Sequence, residues 1–412
     1  MKSVSSIALG VSFALGGIGA AAGAPALAQA EAAALAAPTL SRDERAALAE
    51  AQAALQQRNY TAAAAAVAAA KSHARTGDAR YLAGALELRL GLETGNAATQ
   101  ASAIDAMIAS GAAPAAGLGE LYKNQGVLAL GARRHDRAEA AFQRWVEVAP
   151  NNPEALVALA EVKEDLRKVP EAASLIDRAI GLRKAAGQPV PESWYKRGLK
   201  HAADSQLWPQ TIAFSQGLVG AYPSVENWRD ALLLYRDLGQ PDPTVRLDLL
   251  RLMRSSKALA GERDYLELAQ ALSSAGYPAE AKAVLEEGVA AKMVDPAKAT
   301  FKELIATSAK RAAADRKALA GSQAKAMAAA DGALALSAAD AQFGYGEYAK
   351  AAELYRAALQ KGSVNTDLAN SRLGMALALA GQKAEAEMAL RAVTGVRAPL
   401  ASYWLIWLRQ RG

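Results

Sequence analysis

The residues able to do chemistry are few and scattered. The chain has three histidines, His73, His135 and His201, and no cysteine. None of the histidines stands at metal-ligand spacing from another His or a carboxylate, so no zinc pattern exists. Thiolate ligands and Cys nucleophiles are excluded outright. Glu161, Glu164 and Asp165 lie at i, i+3 and i+4 on one helix. Paired carboxylates can do acid–base work, but an exposed acidic helix face is the commoner origin of such a cluster. Arg133-Arg134-His135-Asp136-Arg137 is a basic run at a turn and reads as solvated surface. No Gly-x-Ser-x-Gly elbow, phosphate-cradling Gly-Lys-Ser/Thr loop or His-Glu-x-x-His helix is present. Gly17-Ile18-Gly19 faintly matches a dinucleotide fingerprint, but no strand precedes it. The sequence therefore speaks against an enzyme, and no catalytic residue, cofactor or metal site is assigned.

The elements available to position any site are helices. Alanine dominates the chain, and it enters a helix without losing side-chain entropy or burying a polar group. Aromatic residues make up only 6%, and no segment keeps a period-two alternation between turn signals. An all-α class follows. The formal net charge of +6 is mild for 412 residues and argues for solubility with a weak pull toward anionic surfaces.

Residues 1–30 read as a signal peptide. Lys2 supplies a positive start, Ile7 to Ala22 is an uncharged apolar run, and Ala28-Gln29-Ala30 offers small residues for cleavage. The cut is expected between Ala30 and Glu31. The competing reading, an uncleaved anchor, asks for about 20 strongly apolar residues, and this run is Gly-rich and weakly hydrophobic. The expectation is a soluble mature chain, periplasmic or secreted, that opens on a flexible leader over 31–40.

A repeat organises the rest. Gly126, Ala138, Phe142 and Trp145 are followed 34 residues later by Ala160, Ala172, Ile176 and Ala179. Small residues recur where two helices must approach closely, and large apolar ones recur a turn apart on the facing side. Trp194 and Trp228 share the same spacing. Turn-plus-small-residue signals recur at Arg58-Asn59-Tyr60, Gly276-Tyr277-Pro278, Gly346-Glu347-Tyr348 and Gly381-Gln382-Lys383. Units are legible from near Glu44, Arg80, Gly119, Pro153, Pro191, Val225, Glu262, Gly332 and Asp367.

With Leu373-Gly374, Tyr348-Ala351-Tyr355-Ala358 and His135-Ala138-Phe142-Trp145, the chain resembles the tetratricopeptide repeat family. That resemblance implies a right-handed superhelical solenoid of antiparallel helix pairs. The expected organisation is N-terminal repeats over 41–187, middle repeats over 188–295, and a degenerate Ala/Lys-rich helical pair over 296–331. C-terminal repeats follow over 332–398, with a capping helix over 399–412. Ser41-Arg42-Asp43-Glu44 has the form of a capping box opening the first helix. The last helix, with Tyr403, Trp404, Ile406 and Trp407, reads as a cap over the final apolar face, with a membrane foot as the alternative.

In the family resembled, the first helix of each pair lines a concave groove for a peptide or partner helix. Carried over, the groove would take Lys123, Val127, Glu161, Tyr195, Leu199, Arg229, Leu233, Leu266, Gln270 and Met375. Val157, Leu336, Asp340, Leu368 and Ser371 would stand beside them. The paired Lys, Asn and Arg that clamp acidic chaperone tails are incomplete here: Lys123 and Asn124 are followed on the next helix by Val157, Ala158 and Glu161. The expected function is a protein–protein interaction scaffold or adaptor of the bacterial cell envelope. The alternative is a binder of anionic envelope polymer or lipid through the basic helices from Lys292 to Lys325. Those helices lack interleaved aromatics, which tells against a nucleic-acid partner.

Overall fold

A computed structural model of the chain describes residues 38–411. The expected signal peptide, its cleavage site and most of the leader lie outside the described residues. The described chain is α-helical apart from turns and one 3-10 segment, with no strand among the described residues. Helices follow one another in pairs: α1 (Arg42–Gln56) with α2 (Tyr60–His73), α3 (Gly77–Glu93) with α4 (Ala97–Ala109), and α5 (Ala115–Gly131) with α6 (His135–Val148). Next come α7 (Pro153–Asp165) with α8 (Val169–Ala185), α9 (Glu192–Asp204) with α10 (Trp208–Ala221), and α11 (Val225–Leu238) with α12 (Pro243–Ser255). The pair α13 (Gly261–Ser274) and α14 (Pro278–Ala290) precedes a lone helix α15 (Ala299–Ala328). The chain ends with α16 (Ala333–Gly344) and α17 (Tyr348–Lys361), α18 (Thr366–Leu379) and α19 (Lys383–Arg391), and a last helix α20 (Ala398–Arg409).

One local device makes the pairs. Each turn inside a pair puts one residue in the left-handed region: Arg58, Gly95, Arg133, Arg167, Gln206, Gln240, Gly276, Gly346 and Gly381. In most of them the next N–H donates back to the carbonyl five residues earlier, as from Tyr277 to Leu272 and from Gln382 to Leu377, both at 2.9 Å. That closure satisfies a carbonyl the helix end would otherwise leave free. After the turn, a small residue lets the second helix dock. Ala138, Ala172, Ala281, Ala351 and Ala386 are fully buried. Gly374 serves the same end on the first helix of its pair, since a Cβ there would stand 2.5 Å from Leu390 Cγ.

The chain divides into two compact units, residues 1–128 and 129–412. In the first unit, α1 to α3 bury Leu48, Ala51, Leu55, Val67, Leu86 and Leu90 in one cluster, and Ile104 and Met107 of α4 join Leu121 of α5 in another. The expected capping box is present at its start. The Ser41 N–H donates to Glu44 Oε2 at 2.8 Å, and the Glu44 N–H donates to Ser41 Oγ at 3.3 Å. Glu44 Oε1 also accepts from the backbone N–H groups of Arg75 and Thr76 at 2.8 and 2.9 Å, which ties α1 to the entry of α3.

The second unit departs from a plain stack in two places. Residues 296–331 hold no helical pair: α15 is one helix of 30 residues. Good helix formers flank Gly321 on both sides, Lys317-Ala318-Leu319 before it and Gln323-Ala324-Lys325 after it. Within α15 no Pro and no left-handed turn residue folds the chain back. The second departure is α20, which does more than cover an end. Tyr403 and Trp404 are fully buried, with Leu400, Trp407 and Leu408 beside them. Tyr403 shares a hydrogen bond with Ser215 on α10, Gln410 Nε2 donates to the Val219 carbonyl at 2.7 Å, and Trp407 Nε1 donates to the Ser255 carbonyl at 3.1 Å. The last helix therefore returns to α10 and α12, about 150 to 190 residues earlier in the chain. The face expected as a cap or a membrane foot is spent on closing the unit on itself.

Candidate functional site

The closure leaves α12 and α18 enclosed. On α12, Val245 and every residue from Leu247 to Met253 are buried, and on α18 every residue from Ser371 to Ala378. A helix buried all round normally carries only apolar side chains, yet Asp248, Arg251, Ser371 and Arg372 lie in these runs. The charged ones meet in one cluster. Asp248 accepts from Arg251 at 2.8 Å, from Arg397 at 2.7 Å and from Arg372 at 3.4 Å. Arg251 also forks onto Glu280, with Nε at 3.0 Å from one oxygen and Nη2 at 2.5 Å from the other. Asp340 accepts from Arg372 at 2.6 Å and from the hydroxyls of Tyr355 at 2.6 Å and Tyr277 at 2.8 Å.

Three carboxylates thus face three guanidiniums from five different parts of the chain. Burial alone would raise the Asp248 pKa, but Arg372, Arg251 and Arg397 outweigh it and hold the carboxyl at about 2. Burial works the other way on Arg372, and Asp248 and Asp340 more than reverse it, so the guanidinium stays charged. Every charge is paired within the cluster, so its chemistry is that of a structural staple. The sequence reading reaches only Asp340 among these residues, and places it beside a groove. The signal that could have found the cluster is an apolar run interrupted by two charges one turn apart, in Leu247-Asp248-Leu249-Leu250-Arg251-Leu252.

The residues carried over as a groove do not form one exposed surface. Tyr195, Leu199 and Met375 are core, at 3%, 6% and 0% exposure, and Val157, Asp340 and Ser371 are buried as well. A side chain in the core presents nothing to a partner, and at these positions the groove register does not hold. Leu233, Leu266 and Leu336 are half-buried against the main core, and Leu368 is half-buried too. Arg229 is tied inward, donating to the Ala258 carbonyl at 2.7 Å and to Asp264. Val127, Glu161 and Gln270 are exposed, and Lys123 pairs with Glu120 at 3.3 Å. At Tyr195 and Leu199 the reason is local, since both pack against Ile176, Phe214 and Leu218 of the adjoining helices, whereas Met375 belongs to the main core that α12, α18 and α20 fill.

The other flagged residues fall into inter-helix contacts. Glu161 accepts from Arg197 at 2.5 Å, Glu164 stands 3.1 Å from His201 Nε2, and Asp165 stands 3.3 Å from His135 Nδ1. The acidic cluster on α7 is therefore one ion pair to α9, through Glu161, and two carboxylates standing beside imidazoles of α9 and α6. His73 Nδ1 faces the Ala69 carbonyl of its own helix at 2.8 Å. Among the described residues no group of three or more His, Asp or Glu is placed to hold a metal ion, and no helix is long and apolar enough to cross a membrane.

Helix α15 presents a different surface. Phe301, Ser308, Ala312 and Ala326 form its buried stripe. Six cations against two carboxylates lie along it, and Lys302, Lys310, Arg311, Lys317 and Lys325 are exposed with no acidic partner among the described residues. Beside it opens a cavity of about 430 Å³ between α14, α15 and the α16–α17 turn, lined by Ala283, Ala309, Ala313, Tyr345 and Tyr348 and by the charged Arg254, Glu280, Lys282 and Glu286. Arg316 lies over the Tyr345 ring at the edge of this cavity, 5.2 Å from the ring centroid, within reach of a cation–π contact.

No family model and no curated protein matches the chain. Among solved structures it is similar to a tetratricopeptide repeat protein from Parabacteroides merdae, at 11% identity and a TM-score of 0.32, over 65% of this chain and 99% of that one. It is also similar to PilF of Pseudomonas aeruginosa, at 14% identity and a TM-score of 0.23, over 46% of this chain and 96% of that one. A third is the TPR2AB domain of yeast Sti1 in complex with pHSP90, at 13% identity and a TM-score of 0.26, over 72% of this chain and 100% of that one. Likeness at this level concerns architecture, and no partner follows from it. The class rests on the chain's own pairs: it is an all-α helical repeat array.

Proposed function

We propose that this chain is an exported scaffold that holds partner proteins in the bacterial cell envelope. The observation that carries the reading is the division of labour in the second unit. Its interior is filled by α12, α18 and α20 and locked by paired charges, while the outward face of α15 is left uncovered and charged. A rigid block with one uncovered helix face is suited to presenting that face, because little ordering entropy remains to be lost on binding. Export rests on the Lys2 start, the apolar run and the Ala28-Gln29-Ala30 site. A second reading is favoured by the same exposed cations: α15 docks on anionic envelope polymer or on lipid headgroups.

A photo-crosslinking residue in place of exposed Ala314 on α15 tests the choice in living cells. Adducts with one or a few envelope proteins are expected. Adducts with polymer or lipid alone would move the function to the second reading, and the N-terminal residue of the recovered chain, expected to be Glu31, reports on export.

A further inference from the structure

Helix α20 meets the slot between α10, α12 and α18 as a ligand meets a receptor. The Val219 carbonyl lies in the last turn of α10, where the residue four positions on is Pro223 and has no N–H to give. Gln410 Nε2 supplies the missing donor at 2.7 Å. Trp407 Nε1 does the same for the Ser255 carbonyl at the end of α12. In return Trp228 Nε1 donates to Gln410 Oε1 and Gln216 Nε2 to the Pro399 carbonyl, both at 3.1 Å. These contacts read the sequence of α20, and they do not depend on which chain carries it.

A short connector, residues 392–397, decides which chain that is. Asp367 holds it at Thr394, through the backbone N–H at 2.8 Å and the hydroxyl at 3.0 Å. Gly395 follows in the left-handed region, with φ of 57°, and turns the chain into α20. Val396 beside it is 77% exposed, more than any other large apolar side chain among the described residues. A short turn through which a terminal element reaches its slot is a place where copies of a chain exchange elements. Straightened, these six residues span about 20 Å.

We infer that the chain also forms a dimer by exchanging α20, each copy seating its last helix in the other's slot. The exchange keeps every bond named above and alters only the connector. Its two-fold symmetry brings the two connectors side by side, so Val396 of one copy packs on Val396 of the other. That contact covers an apolar side chain which the single chain leaves in water. The occupant is a second copy and not a foreign helix, because the donors and acceptors of the slot match Gln410, Trp407 and Tyr403 of this sequence. The inference goes beyond the scaffold reading and does not need it. For a scaffold its consequence is two copies of the α15 face in one particle, and so capture at two points.

The full chain has no cysteine, so an engineered pair reports the exchange. A Cβ at Gly220 on α10 would lie 3.9 Å from Ile406 Cγ2 on α20, close enough for a disulfide between these positions. The double variant, Gly220→Cys with Ile406→Cys, refolded at low concentration and oxidised, should close within one chain; this shows that both positions fold and reach each other. The two single variants are then refolded together at high micromolar concentration. A disulfide-linked dimer joined from 220 to 406, identified by mass spectrometry, is expected from the mixture and from neither variant alone. Gly395→Val strains the left-handed turn without a clash, since a Cβ there meets only Asp367 Oδ2 at 3.6 Å. It should raise the association constant, read by light scattering, about tenfold or more. Val396→Ser should lower it severalfold with the circular dichroism unchanged. A chain that stays monomeric at every concentration, in the parent and in Gly395→Val alike, overturns the proposal. So does a dimer that yields no 220–406 link from the mixed single variants, because its helices have not been exchanged.

Discussion

The opening helices α1 to α4 and the closing block α10 to α20 are built from the same kind of pair, yet they bury different things. The first core is Ala, Leu and Val, and the buried carboxylate at its start, Glu44, is satisfied by groups three residues away and by the entry to the next pair. The second core carries Asp248, Arg251, Glu280, Asp340, Arg372 and Arg397, whose partners lie up to 149 residues apart. In the first region each pair needs only its neighbour. In the second, the ends of the array need one another, and paired charges fix how they meet. Buried ion pairs are a poor source of net stability but break at high cost when one partner is lost. The array is thus open-ended in its local rules and closed by a few long-range contacts.

Breaking the closure should have the largest effect. Asp248→Ala leaves three guanidiniums without their shared carboxylate, and about 3–5 kcal/mol of stability should disappear from the closing block in urea denaturation. The emission of Trp404 and Trp407 should shift red at lower denaturant, while the helices of the opening pairs keep their own transition. A variant as stable as the parent would mean that the cluster does not hold the closure.

Acid should act in the same direction with a smaller effect. Asp248 is held at about 2 against an ordinary 3.8, because three guanidiniums outweigh its burial. Glu44 is held at about 2 against 4.5 by the backbone N–H groups of Thr76, Ser41 and Arg75. Both folded values are depressed, so both contributions are complete above the ordinary values and are lost as pH falls toward 2. Stability followed from about pH 5 to about pH 2 should therefore decline for the parent chain. Asp248→Asn should start lower and decline less steeply, and parallel curves would contradict the assignment. The smallest effect belongs to the opening region: Ser41→Ala removes one side of the capping box and should cost about 1 kcal/mol, read from the first helix alone.

These contrasts follow what the sequence makes legible. Helix pairs, their turns and the capping box are readable because each depends on residues within one or two turns of each other: Gly276-Tyr277-Pro278 announces its turn whatever lies elsewhere. The single long α15 is not, because a 34-residue rhythm suggests a pair where no residue reverses the chain. The groove register fails at Tyr195, Leu199 and Met375 for other reasons. Tyr195 and Leu199 face the adjoining helices, which is a matter of local register, while Met375 is covered by a core that α12, α18 and α20 close through contacts across more than a hundred residues. Trp404 and Tyr403 are readable as residues that must be covered, and the surface that covers them is not.

Hydrogen exchange on the intact chain tests the closed interior most directly. If α20 seals the second unit over α12 and α18, the amides of Leu247–Met253 and Ser371–Ala378 should exchange only through global opening of that unit. Those on the outward face of α15 should exchange far sooner. Exchange of α12 at the rate of α15 would contradict the closure and restore the open groove.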